Sequence, residues 1–98
     1  MNYQYRKKPV IIEAFQMTKA RRWNNSEWPN WLHEAWNKDP GENALWINPD
    51  DPKGERLACG TLEGVQAITW GDFILQGVTG EIYPCKSHIF EMIYEKVE

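Results

Sequence analysis

The chain has 98 residues, of which 42% are hydrophobic and 26% charged, with a formal net charge of −3. That length supports one compact core, burying roughly 60 to 65% of the surface that the unfolded chain exposes, so a single domain over 1–98 is expected. No apolar run approaches the roughly 20 residues a bilayer-spanning helix requires, and interleaved acid and base argue against both a DNA mimic and a phosphate-tracking protein.

The first ten residues, MNYQYRKKPV, are basic but lack an apolar stretch followed by small residues, so no secretory leader is read and a cytoplasmic protein is expected. Arg6-Lys7-Lys8 is the one local basic run, taken as a solvated strand entrance; neither a nucleic acid nor a membrane is an expected partner. Val10 to Met17 is enriched in β-branched residues and partly alternates, which predicts a strand with Pro9 at its entrance. On such a strand Val10, Ile12 and Ala14 share one face and Glu13 lies opposite, flanked by Ile11 and Phe15. A carboxylate there needs a partner, such as Arg6, Lys86 or a tyrosine, or else a raised pKa.

Residues 26–38 predict the main helix. Ser26 can cap it, Pro29 fits its first turn, and Asp39-Pro40-Gly41 stops it. Trp28, Trp31, Leu32, Ala35 and Trp36 recur at helical spacing and form one apolar stripe. The stripe is expected to pack on a sheet, with a ligand-stacking role for indoles at its rim as the alternative. If Trp31 and Trp36 are fully buried, replacing either by alanine should cost roughly 3 to 5 kcal/mol.

A short strand at 44–48 follows, then a polar loop, then hairpins of strands 57–62 with 65–70 across Glu63-Gly64, and 73–78 with 81–86 across Thr79-Gly80. Asp72 is read as a turn residue and Glu81 as sitting beside a hairpin tip. Ser87 is expected to cap a helical turn over 87–93, and Tyr94 to Val97 to return as an edge strand. The fold class is α+β, with about six strands in a mostly antiparallel curved sheet or partly open barrel and the main helix across it.

Reactive constellations are sparse. Cys59, Cys85, His33 and His88 are isolated in sequence, whereas structural zinc draws ligands from paired short spacings, so no metal and no cofactor is expected. Cys59 and Cys85 are read as free packing residues. Cys85 with His88 at i, i+3 could form a nucleophile–base pair, and Glu13 could act as a base; both feed a minor hydrolase alternative. No glycine-rich phosphate loop is present, because the glycines lie at β-turns.

The segments YRKKPVIIEAFQM and LEGVQAITWGDFILQGVTGEIYPCKSHIFEMIYE resemble a family of small proteins widespread in bacteriophages and prophages, typified by YRKKPVVIEA and by PGDW(I/L)(I/V)xGVxGExYPCKPDIFExTYE, and are similar to proteins grouped under the PGDYG name. Lys8-Pro9, Glu13-Ala14, Gly71-Asp72, Gly80-Glu81, Tyr83-Pro84-Cys85-Lys86, Phe90-Glu91 and Tyr94 fall on the pattern; Trp70 and Ser87 stand where it has proline. The resemblance covers about half the chain and implies a phage-encoded accessory protein of the host cytoplasm, with no established activity or catalytic residues.

Together these features favour a non-enzymatic binder that acts on a host factor or host defence by sequestering a small, nucleotide-like molecule. The expected ligand-binding residues are Arg6, Lys7, Glu13, Trp31, Trp36, Trp70, Tyr83 and Lys86. A host protein bound through exposed Trp and Tyr is the competing partner. A homodimer or higher homo-oligomer, paired through an edge strand, fits either reading.

Overall fold

A computed structural model describes residues 3–97. The fold is α+β, with six antiparallel strands in two three-stranded sheets, neither closed into a barrel. One sheet has the order β1-β5-β6, from β1 (Glu13–Gln16), β5 (Phe73–Gln76) and β6 (Ile82–Cys85). The other has the order β2-β3-β4, from β2 (Leu45–Ile47), β3 (Leu57–Thr61) and β4 (Gly64–Ile68).

Between β1 and β2 the chain is helical. α1 (Lys19–Trp23) is capped by Thr18, whose hydroxyl accepts the Arg21 amide at 3.1 Å; no apolar periodicity announces so short a helix, and the sequence reading passes over it. The segment predicted as one helix over 26–38 is broken. A 3-10 turn at Asn25–Glu27 comes first, capped by Asn24 through the Ser26 amide, and α2 covers Asn30–Trp36. Ser26 is therefore capped rather than capping, and Pro29 stands as the extended residue that starts α2. A proline at that boundary splits the segment, because it disfavours helical backbone at Trp28 before it.

The apolar stripe does pack inward. Trp28, Leu32 and Ala35 join Met17, Leu45, Leu57, Cys59, Ile68, Ile74 and Ile82 in one buried cluster drawing on both sheets. Trp31 and Trp36 reach it only as half-buried neighbours, together with Phe15 and Trp70. The β5 strand alternates as period two requires: Ile74 enters this cluster, while Phe73 points to the opposite face and stacks on Phe90 of α3 (Ser87–Ile93) at 3.9 Å. α3 thus covers part of the second face of its sheet. Its N-cap is Lys86, with no side-chain cap bond, so Ser87 does not cap as expected.

Two further expectations are corrected. Residues 94–97 form no strand, so the predicted edge does not exist there; β1 terminates its sheet instead. In the first hairpin Thr61 pairs with Gly64, which makes Leu62-Glu63 the two-residue loop and moves the turn one residue earlier than predicted. Gly60, buried in mid-strand, is fixed by contact rather than by a turn. A Cβ there would lie 1.8 Å from the Gly41 carbonyl oxygen, where residues 42–44 fold back onto β3 through Asn43 N–H to Gly60 O at 2.8 Å.

Because Trp28 is 5% exposed whereas Trp31 and Trp36 are half-buried, Trp28→Ala should lower stability by about 3 to 5 kcal/mol and Trp31→Ala or Trp36→Ala by less. Urea unfolding followed by far-UV dichroism orders the three. Gly60→Ala, facing backbone that cannot retreat without losing the fold-back, should be at least as damaging as Trp28→Ala in the same assay.

Candidate functional site

The eight candidate ligand residues do not meet at one place. Trp36 is committed to its own chain: Arg22, itself buried, lies 5.2 Å from the Trp36 ring and 4.4 Å from that of Trp23, and donates from Nε to the Glu55 carbonyl at 2.8 Å. Burial lowers the Arg22 pKa, with Glu55 opposing, and the guanidinium takes an indole face that a ligand would need. Trp31 and Trp70 pack against the core. Among the indoles only Trp23 is largely exposed, at 60%.

Lys86 is also spoken for. Its ammonium donates to Thr69 Oγ1 at 2.9 Å and pairs with buried Asp72 at 3.3 Å, tying the end of β6 to the turn before β5. Asp72 accepts the Thr69 amide at 2.9 Å as well, which bears out its reading as a turn residue and adds a partner that sequence did not supply. Glu13 is exposed on β1 and lines a groove of about 630 Å³ with Phe15, Phe73, Phe90 and Arg21. Exposure removes the need for a buried partner.

Lys7 and Tyr83 do converge. They line a cleft of about 310 Å³ between the N-terminal segment, the β5–β6 loop and the end of α3, with Lys8, Tyr94, Ile93 and Glu81. Arg6, the neighbour of Lys7, is exposed and outside this lining. Lys7 Nζ lies 6.0 Å from the Tyr94 ring centre. Tyr94 stacks at 5.0 Å on Phe90, which holds its ring in place. Burial, and then the hydrogen bond to the Tyr94 hydroxyl, push the Tyr83 phenol up to about 12, so it stays neutral and polar at physiological pH. Glu81 accepts from the Thr79 amide at 3.0 Å and from its hydroxyl; that hydroxyl bond is the first cause holding the carboxyl below its ordinary value. Neither Lys8 nor Tyr94 was among the sequence candidates. Each nevertheless adjoins a residue singled out for other reasons, Lys8 in the basic run and Tyr94 after α3.

Charge separates these three depressions from one another. The large groove sets Glu13 and Glu95 against Arg21 and Lys96, and a further cleft of about 310 Å³ beside Thr61 and Pro84 carries Glu63 and Glu81 without a base. The cleft at Lys7 has two lysines against one glutamate, so of these three it has the net positive lining, and two tyrosines besides.

The thiols point away from nucleophilic chemistry. Burial pushes Cys59 up to about 12, and burial followed by the nearby Asp72 charge pushes Cys85 up, whereas a reactive cysteine needs a lowered value. Cys85 Sγ faces the Lys86 carbonyl at 3.7 Å, and His88 is exposed on α3. Among the described residues no group of three His, Cys, Asp or Glu could hold a metal ion, and no helix is long and apolar enough to cross a membrane. Comparison of the chain with protein-family models, with curated proteins and with solved structures finds no match in any of the three.

Lys86→Ala, by leaving a buried carboxylate with the Thr69 amide alone, should destabilise the fold by about 1 to 3 kcal/mol in thermal denaturation. A second outcome concerns pH. Asp51 accepts the amide of Arg56 at 2.7 Å and of Glu55 at 2.9 Å, and these bonds, Arg56 first, hold its carboxyl below the usual aspartate value. A depressed carboxyl stabilises above its unfolded pKa, and that contribution is lost as pH falls through the folded value. Asp51→Ala should therefore flatten the acid limb of the stability curve below about pH 4 and leave its neutral-to-alkaline shape alone, as measured by thermal melts across pH.

Proposed function

We propose that the chain is a non-enzymatic binder that takes a small, flat, anionic, nucleotide-like ligand in the cleft of Lys7, Lys8, Tyr83 and Tyr94. One observation carries this reading: the convergence of two lysines and two tyrosines in a concave site of about 310 Å³. Ammonium groups attract phosphate, phenol rings stack on a planar base, and the volume lies at the small end of the roughly 300 to 1,000 Å³ typical of small-molecule sites. The raised Cys85 pKa argues against the Cys85/His88 form of the hydrolase alternative. In the phage setting that the resemblance implies, holding such a molecule out of circulation in the host cytoplasm would make the chain an antagonist of host defence.

A second reading, an inhibitor of a host protein, draws support from Trp23, Tyr3 and Tyr5, which are 60%, 75% and 94% exposed. The two readings separate in one titration. Calorimetry with AMP, ADP and adenosine should show binding that weakens from ADP to AMP to adenosine and weakens with added salt, since the lysines are exposed. Lys7→Ala and Lys8→Ala should each lower affinity by about tenfold, and Tyr94→Ala by roughly fivefold or more, with Trp23→Ala unchanged. No heat with any of the three compounds, together with a host protein retained by wild type and lost in Trp23→Ala, would favour the inhibitor.

A further inference from the structure

β1 terminates its sheet, and the large groove of about 630 Å³ is lined by residues 11–16 on and before that strand. Which of them offer the strand edge follows from the ladder. The Met17 amide donates to the Asp72 carbonyl and the Met17 carbonyl accepts the Gly71 amide, each at 2.8 Å, so Met17 turns its backbone toward β5. Backbone direction alternates along a strand, so Phe15 and Glu13 also face β5, while Gln16, Ala14 and Ile12 face outward. Arg21 marks the end of this edge: its Nη1 donates to the outward Gln16 carbonyl at 2.9 Å, and its guanidinium rests 4.8 Å from the Phe15 ring centre. Ala14, exposed and small, lies between Ile12 and Gln16 on the same edge.

Charge says which occupant the edge suits. A face that meets a second copy of itself across a two-fold axis meets its own charges, so a patch of one sign repels its copy. The cleft at Lys7 is net positive and the cleft beside Thr61 net negative, whereas the groove along β1 sets two carboxylates against two cations. We infer that β1 pairs antiparallel with β1 of a second copy across a two-fold axis at Ala14, joining two three-stranded sheets into one of six strands. Centred there, the outward amide and carbonyl of Ala14 in each copy bond those of the other. Glu13 falls opposite the second copy's Phe15, on whose ring Arg21 rests, so Glu13 meets Arg21 across the axis twice. An axis at Glu13 sets the two carboxylates against each other, and an axis at Phe15 carries Glu13 past Arg21. The pairing stands apart from the ligand reading, since none of Lys7, Lys8, Tyr83 and Tyr94 lines this groove.

Sedimentation velocity on the full chain at rising concentration reads the assembly. Wild type should pass from monomer to dimer with a Kd at or below about 10 µM. Glu13→Arg and Arg21→Glu each set like charges across the axis twice, and should each raise that Kd by about tenfold or more, with far-UV dichroism confirming the fold. Mixed in equal amounts, the two variants should dimerise as wild type does, because the mixed pair has opposite charges at both positions. Ala14→Cys leaves both charges in place. With diamide as oxidant it should give a covalent dimer, because residues directly opposite in such a ladder have Cα atoms about 5.5 Å apart, while Glu63→Cys on the β3–β4 loop should not. A wild-type chain that stays monomeric up to about 100 µM, a dimer indifferent to both charge reversals, or no recovery on mixing the folded variants would overturn the pairing. Should Arg21→Glu not fold, the cysteine variants decide: cross-linking no faster at position 14 than at position 63 overturns it.

Discussion

The apolar cluster around Met17, Trp28, Leu32 and Ile74 is the constraint on which the remaining architecture depends. Three-stranded sheets of three to five residues per strand bury too little apolar surface to be stable alone. Here each sheet contributes one face to a common core, and the third wall comes from Leu32 and Ala35 of α2 with Trp28 just ahead of it. Remove the stripe and the common core loses one wall, leaving the sheets to face each other only where β3 and β4 meet β6. β3, buried along its whole length, is where the constraint is tightest, and Gly60 marks how closely the chain returns upon it.

The groups proposed for recognition lie outside that cluster. The core takes the indoles that looked most like stacking platforms, and Arg22 fills the face that Trp36 leaves open. Lys86 is drawn into a pair with Asp72. What is left over is the periphery of the first sheet, where the N-terminal segment passes the β5–β6 loop and the end of α3. The aromatic and cationic groups there are Tyr83, Tyr94, Lys7 and Lys8, none needed by the core. The residues proposed for recognition are therefore not those that build the core.

The chemistry of the thiols follows from the same division. Cys59 belongs to the core, and Cys85 is raised first by burial and then by the charge of Asp72, so both thiols are shifted toward the protonated form. Binding rather than bond-breaking at the thiols is the proposal that these environments support.

Sequence alone determined the local elements. Period-two alternation located the strands, helical spacing located the stripe that leads into α2, and glycines marked where the hairpins turn though not their loops, which are Leu62-Glu63 and residues 77–81 rather than Glu63-Gly64 and Thr79-Gly80, because each signal is written in neighbours a few residues apart. Thr18 and α1 escaped because a five-residue helix holds too little periodicity to register, and residues 94–97 read as a strand because extended, exposed chain shares the same residue types. Tertiary structure decided the rest: that the strands form two sheets rather than one, that Lys86 pairs with an aspartate 14 residues away, and that Lys7 meets Tyr94 across nearly the whole chain. Contacts between distant residues depend on how two faces dock, and docking is set by the summed burial of many side chains rather than by any short run of them.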